Sequence, residues 1–555
     1  MILEVMEEKN GARNKPSRCP EFIPEKMKPV HSRTRFNLAN RQSKSCSDNR
    51  TSCCDSDAPQ PPKGLCLEKL GNTSYVYMSP HPDGSNRAFV CNQKGEIWLA
   101  MVPEVGSTQG LIIDDSDSHL FLDLSDQVEF ATEMGLMSMA FHPNFTTNGR
   151  FFVAYNCDKF KQTGCEGRCS CNSDVNCDPS QFESLQEETS PCQFHIVVSE
   201  FTANGTTASS KLSWKGRVNS VEVRRIFTIG LPFEAYHAGQ ILFGLNDGFL
   251  YFMIGDGSHD NDPYNFAQNK KSLLGKILRL DVDIIPSNRE DEISKLGLWG
   301  SYSIPKDNPY VTDKELGPEI WALGFSNPWR CSFDSDRPSR FICGDIGKNQ
   351  YEEINIIKKG GNYGWRVYEG PNPVHQPYAP GGYTPPTSIS PIFPVAGYGH
   401  NNVDTKKGPA SIMPGYYYRS TTDPCFYGWY IYSDLYNYAI WAAIDTSDKS
   451  ENFTSFRVPF GCARDSPMQC EFKPGVYRVP DLGYVVSFGE DNNKDVYLLT
   501  TSGLYRVASP SRCGYSCDKE KYYNFTKTPS SGTLLFKVMG LLAYCFVSLL
   551  VVVFV

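Results

Sequence analysis

His237-Ala-Gly-Gln-Ile-Leu-Phe-Gly-Leu-Asn-Asp-Gly-Phe-Leu-Tyr-Phe-Met-Ile-Gly-Asp256 reads as two apolar, aromatic runs folded about one turn. Asn246-Asp247-Gly248 supplies the residues that tolerate a tight reversal, and the flanking runs suit a pleated, half-buried surface. A turn centred on Asn246-Asp247 sets His237 and Asp256 opposite each other across the outer end of a hairpin. Five further stretches repeat the plan. They are Arg87–Ala100 around Asn92-Gln-Lys-Gly95, Arg150–Cys157 after Asn148-Gly149, Arg340–Ile357, Trp429–Ile444 and Tyr484–Val507. Strand-rich units recurring every ~50–100 residues, with no helical period between them, favour propeller blades over a large sandwich. The expectation is an all-β, six-bladed β-propeller over residues 64–510, with long insertions at Asp158–Pro191 and Arg366–Asn402.

Composition agrees. The chain has 555 residues, of which 40% are hydrophobic and 21% charged, enough to bury a core and too apolar for global disorder. The net charge of −8 and the lack of a long Lys/Arg block argue against nucleic acid as a partner. Residues 1–60 show no periodicity and read as disordered or as a Cys-rich N-terminal remnant, ending at the linker Pro61-Pro62-Lys63-Gly64.

Twenty cysteines point to an oxidising compartment and disulfides. Cys165-x3-Cys169-x-Cys171 lacks the paired knuckles of a zinc site. Cys331 and Cys343 lie symmetrically about Arg337, inside the turn-forming run Asp334-Ser-Asp-Arg-Pro338, so a hairpin there brings them within bonding reach. Six glycosylation sequons, at Asn49, Asn72, Asn144, Asn204, Asn452 and Asn524, fit the same secretory route. Val538–Val555 is an uncharged, largely apolar run preceded by the small residues Ser530, Ser531 and Gly532. It reads as a GPI-attachment signal, with 511–533 a polar stalk and 534–555 a cleaved hydrophobic tail; a spanning tail anchor is the competing reading. Met1–Gln42 has no apolar core of a signal peptide, so the chain's start is expected to be incomplete.

Two groups of residues carry chemistry. An imidazole at His237 beside a carboxylate at Asp256 has the make-up of a general base and its orienting acid; a His–Asp bond that merely closes a blade end is the alternative. In Gly344–Trp365, Asp345, Glu352 and Glu353 are hard oxygen ligands among glycines that free backbone carbonyls, a set suited to Ca²⁺ rather than zinc; a solvated acidic turn is the alternative.

Several motifs occur in a fixed order: Glu133-Met-Gly-Leu136, Ala140-Phe-His-Pro-Asn-Phe145, the His237–Asp256 hairpin, Leu274-Gly-Lys-Ile-Leu-Arg-Leu-Asp281, Ile304-Pro-Lys-Asp-Asn-Pro309, Glu319-Ile-Trp-Ala-Leu-Gly-Phe-Ser-Asn-Pro328 and Gly360-Gly-Asn-Tyr-Gly-Trp365. Together they resemble the glucose/sorbosone dehydrogenase family of six-bladed propellers, in its plant hedgehog-interacting-protein-like, GPI-anchored branch. The resemblance implies PQQ on the channel axis with Ca²⁺. It makes His237 the base for a sugar C1 hydroxyl, Asp256 its orienting acid, Asn327 a PQQ contact, and Gly347, Lys348, Glu352 and Tyr363 the Ca²⁺ segment. Within that segment Lys348 replaces a Pro and Glu352 an Asp, and further departures lie at the cofactor contacts. Ser326 stands for an Arg, Glu133 for a Gln, and of the cations that clamp the PQQ carboxylates only Arg419 offers a substitute. Two functions follow as expectations: a cell-surface PQQ- and Ca²⁺-dependent sugar oxidoreductase, or a propeller that binds a carbohydrate, peptide or protein ligand without turnover.

Overall fold

The computed structural model describes residues 60–520 except 114–119, 132, 172–174, 176–189, 191, 204–220, 259–260, 285–296, 377–380, 403–409, 446–452 and 473–479. Its strands form six sheets of four or five strands, antiparallel but for one edge strand, that follow one another along the chain as propeller blades, besides one small two-stranded ribbon. The first blade holds Tyr77–Pro80, Arg87–Cys91 and Glu96–Met101, the last of these pairing with both Ile112–Ile113 and Leu120–Asp123. The second holds Leu136–Phe141, Arg150–Asp158, Phe194–Thr202 and Arg224–Gly230. The third holds Ile241–Phe243, Leu250–Ile254, Lys276–Leu280 and Ile320–Leu323. The fourth holds Pro328–Phe333, Phe341–Asp345, Tyr351–Ile356 and Ala396–Gly399. The fifth holds Ile412–Tyr417, Tyr430–Asp434, Ile440–Asp445 and Phe453–Val458.

The sixth blade closes the ring. Val485–Glu490, Val496–Thr500 and Gly503–Ala508 pair with Leu65–Gly71 from the other end of the chain, and Phe460–Cys462 adds a parallel edge. The first strands of successive blades line the centre and are stitched by side chains. Ser138 Oγ lies 3.1 Å from Gly239 O and accepts from Ile241 N at 2.8 Å. Gln240 brackets Cys331, accepting its N–H at 2.5 Å and donating to its carbonyl at 3.1 Å. Ser332 Oγ donates to Gly415 O at 3.0 Å. Each bond satisfies a backbone group of the neighbouring blade that its own sheet leaves unpaired.

The deciding hairpin has the register read from its turn. Ile241, Leu242 and Phe243 pair with Phe252, Tyr251 and Leu250, and Gly257 N donates to Tyr236 O at 2.8 Å further out. His237 therefore faces Asp256. Cys331 and Cys343 are cross-strand partners and form a disulfide. The insertion 366–402 is more than a loop, because Ala396–Gly399 is the outer strand of the fourth blade. Its Ala-Gly-Tyr-Gly sequence has no β-branched residue; pairing with Tyr351–Ile354, rather than propensity, makes it a strand.

The other disulfides among the described residues are Cys66–Cys513, Cys157–Cys165, Cys169–Cys192, Cys425–Cys517 and Cys462–Cys470. Asn72 and Asn144 are exposed. Asn49, Asn204, Asn452, Asn524, the attachment candidates Ser530, Ser531 and Gly532, and the apolar tail lie outside the described residues. Among the described residues no helix is long and apolar enough to cross a membrane.

Cys66–Cys513 bridges the two ends of the closing blade across 447 residues of chain. Replacing both cysteines by alanine is expected to cost on the order of 2–5 kcal/mol, read as a lower guanidinium midpoint under non-reducing conditions.

Candidate functional site

The site forms where the hairpin of the third blade meets the start of the fourth. Gly255 permits the approach: a Cβ there would lie 2.0 Å from Tyr236 O and 3.0 Å from Asn327 Oδ1. Tyr236 and Ala238, on either side of His237, hold φ of 55° and 49°, a region that costs a non-glycine residue about 1–3 kcal/mol. Such strain persists only where the surroundings enforce it, and here it aims His237, 1% exposed, into the junction.

Asp256 is fully buried, and three donors hold its carboxylate. Oδ1 accepts from Lys348 Nζ at 2.9 Å and from Ser258 N at 2.9 Å, and Oδ2 accepts from Trp365 Nε1 at 2.7 Å. The His237 ring is not among these partners, so the expected carboxylate–imidazole bond is not what holds Asp256. The Lys348 ammonium also donates to Ser258 O and lies 3.2 Å from the Tyr236 ring centroid. Burial pushes the Asp256 carboxyl up and the Lys348 ammonium down, and their mutual attraction opposes both shifts.

A single carboxylate oxygen builds the loop that carries Lys348. Glu369 Oε1 accepts the backbone N–H groups of Lys348, Asn349, Gln350 and Tyr351 at 2.8–3.1 Å. Gly347 is needed there, because a Cβ would lie 2.6 Å from that same oxygen. Glu352 points elsewhere, taking His400 Nε2 at 2.7 Å and Ile412 N at 2.9 Å. Tyr363 is buried, with its hydroxyl donating to Ile356 O at 2.7 Å and accepting from Lys358 N at 2.8 Å.

Ser326 and Asn327 donate their backbone N–H groups to Asp345, at 3.0 and 2.5 Å, and Ser326 O accepts from Asp256 N at 2.8 Å. Their side-chain oxygens, Ser326 Oγ and Asn327 Oδ1, are buried with no hydrogen-bond partner among the described residues, Asn327 Oδ1 lying against Gly255. Glu133 enters from the second blade and accepts Tyr236 N at 3.0 Å.

Arg419 does not join them. It grips Asp334 through two bonds at 2.7 and 2.5 Å. Asp334 follows the inner strand Pro328–Phe333, whereas Asn327 precedes it, so Arg419 serves the opposite end of the channel.

The residues do not fit the two groups that the resemblance implies. Of the segment assigned to Ca²⁺, Glu352 and Tyr363 have protein partners, and Lys348 brings a buried positive charge that a dication would have to face. PQQ is a tricarboxylate, and the groups around His237 offer it Glu133, Asp256 and one ammonium already neutralised by Asp256. The positive clamp sought in Arg419 is bound to Asp334 instead. The sequence reading missed the Lys348 side chain, Ser258, Glu369 and His400. A lysine among glycines and acids at Gly344–Glu353 was the visible signal, but its partner lies 92 residues away.

The Glucose / Sorbosone dehydrogenase family matches residues 76–396. The HIPL1 protein of Arabidopsis thaliana is 58% identical over 479 residues, covering 86% of this chain and 67% of its own length. The hedgehog-interacting protein of Homo sapiens is 24% identical over 448 residues, covering 78% of this chain and 50% of its own. A solved glucose dehydrogenase superposes with a TM-score of 0.49 at 16% identity, covering 80% of this chain and 99% of its own. The chain thus spans about two thirds of the first relative and half of the second.

Two measurements test the site's electrostatics. Lys348→Met leaves Asp256 buried and unpaired, a change expected to cost about 3–5 kcal/mol, and adding Asp256→Asn should restore part of it in a double-mutant cycle. The second concerns Glu352, whose carboxyl burial pushes up to about 7. Burial disfavours the His400 imidazolium, but the bond to Glu352 outweighs it and raises His400. Both groups hold protons more tightly when folded. Their contribution is full at low pH and falls as pH rises through about 7 and beyond. Urea midpoints should therefore fall less between pH 5 and pH 8 in Glu352→Gln than in the parent.

Proposed function

We propose that this chain, which belongs to the glucose/sorbosone dehydrogenase family, recognises a sugar at its channel mouth through His237, Ser326 and Asn327. One observation carries the proposal. Ser326 Oγ and Asn327 Oδ1 are buried and have no protein partner among the described residues. A buried polar oxygen left unpaired costs about 1–3 kcal/mol, and sugar hydroxyls are donors of the right kind to relieve it.

A second reading is oxidation of a sugar C1 hydroxyl, with PQQ and Ca²⁺ as in the resemblance. The placement of His237 opposite Asp256, between two residues in the left-handed region, supports it. In that reaction His237 would take the hydroxyl proton as hydride leaves C1. The Lys348 ammonium on Asp256 and the pairing of Arg419 with Asp334 weigh against it. A protein ligand is a third class, prompted by the printed name of the human relative.

The proposal extends to location: the outer face of the plasma membrane, held by a GPI anchor and carrying N-linked glycans. Six disulfides among the described residues support an oxidising compartment. Release of the protein from intact cells by phosphatidylinositol-specific phospholipase C is the expected outcome, and retention would favour a spanning tail.

Calorimetric titration against a panel of aldoses should find binding that Asn327→Ala weakens by about 2–10-fold, the worth of one neutral hydrogen bond. PQQ with Ca²⁺ should give no saturable quinone absorbance change. If PQQ binds and supports dye reduction, and His237→Ala lowers turnover about 10²–10⁴-fold, the oxidoreductase reading replaces this one.

A further inference from the structure

Deeper in the channel the inner strand of the fourth blade presents Arg330, 6% exposed. Its guanidinium spans the channel. Nη2 donates to Met137 O of the second blade at 3.0 Å, Nη1 donates to Trp329 O at 3.2 Å, and Cζ lies 6.0 Å from the Tyr77 ring of the first blade. Tyr416, from the fifth blade, stands close enough for its hydroxyl to feel the same charge. Residues of four blades thus meet around one cation.

That cation has no counter-charge among the described residues. Among the described residues, the only ionisable neighbours that act on Arg330 are the phenols Tyr77 and Tyr416. Burial lifts the Tyr77 hydroxyl to about 12 and raises Tyr416 as well, so both are neutral at physiological pH. Glu490, the carboxylate felt by Tyr416, pairs with Lys494 at 2.9 Å. Arg330 itself, lowered by burial to about 10, keeps its charge. A buried ion without a partner costs several kcal/mol.

Two donors point to what balances it. Arg330 Nε and Trp329 Nε1 are both buried and have no acceptor among the described residues. Consecutive strand residues normally face opposite ways. Here the register shifts between Pro328 and Arg330, and the guanidinium carbon lies 4.8 Å from the indole centroid. An indole N–H and a guanidinium can only donate, so the missing group is an acceptor, and the charge requires an anionic one.

We infer that the propeller channel holds a small inorganic monoanion of halide size, bound by Arg330 Nε and Trp329 Nε1 within the ring of Tyr77 and Tyr416. A neutral water would satisfy the N–H groups but leave the charge uncompensated. This site is separate from the sugar site at Asn327 and does not depend on the reading of that site.

The test is thermal melting of the whole protein at constant ionic strength, with chloride or bromide replacing bulky gluconate. Binding to the folded state alone should raise Tm by about 1–2 °C per tenfold increase in halide for a domain of this size. Arg330→Met should abolish the slope, and Trp329→Phe, which keeps an aromatic ring and loses the N–H, should reduce it. Crystals grown in bromide should show an anomalous peak in contact with both donors. Should Arg330→Met fail to fold, Trp329→Phe and the bromide map decide. Equal slopes in the parent and in Trp329→Phe, or no anomalous peak beside Arg330, would overturn the inference.

Discussion

Everything in this molecule depends on one strand pairing, that of Leu65–Gly71 with Gly503–Ala508. A propeller gathers side chains from separate blades about a common axis only if the ring is closed. Closure is reinforced chemically as well as by backbone hydrogen bonds. Cys66 is bonded to Cys513, and Glu68, fully buried, takes Arg506 Nε at 2.7 Å and a further guanidinium from Arg512. Opening the pair would leave this buried carboxylate without its Arg506 partner on the facing strand, so the pairing resists fraying as well as register slip.

Closed in this way, the ring sets Glu133 of the second blade, the hairpin of the third and the Asn327–Glu352 segment of the fourth around one mouth. The electrostatics there follow from burial. Asp256, Glu352 and Glu353 are all fully buried carboxyls whose ionised forms burial disfavours. The fold answers each locally: Lys348 for Asp256, His400 for Glu352, Asn355 Nδ2 at 2.9 Å for Glu353. Glu133 and Asp345 add carboxylates answered only by backbone N–H groups, so carboxylates outnumber cations there and a tricarboxylate finds no free cation. Neutral, hydroxyl-rich ligands suit it better, because they need hydrogen-bond partners rather than counter-charges.

Local features were readable from the chain alone. The Asn-Asp-Gly turn set the register of the third blade to the residue, and symmetry about Arg337 identified the Cys331–Cys343 bridge, because both depend on contacts within about twenty residues. The resemblance made Asn327 a cofactor contact and Ser326 the stand-in for an Arg; that Ser326 O accepts from Asp256 N, joining the third and fourth blades, came from the structure. Long-range pairings were not legible. Lys348 finds Asp256 and Arg419 finds Asp334 across 92 and 85 residues, and nothing local distinguishes such a lysine from a backbone-only ligand or such an arginine from a cofactor clamp. The outer strand Ala396–Gly399 was equally hidden, since its identity comes from its neighbour rather than from its own residues.

The central claim is that Lys348, and no metal, is the cation of the channel mouth. A crystal structure of the protein grown with excess Ca²⁺ and PQQ tests it most directly. The account predicts the Lys348 ammonium on Asp256 Oδ1, no anomalous calcium signal at Gly347 or Lys348, and no planar quinone beside His237. Calcium on the Gly347 and Lys348 carbonyls, with Lys348 displaced and a quinone stacked against the site, would contradict it.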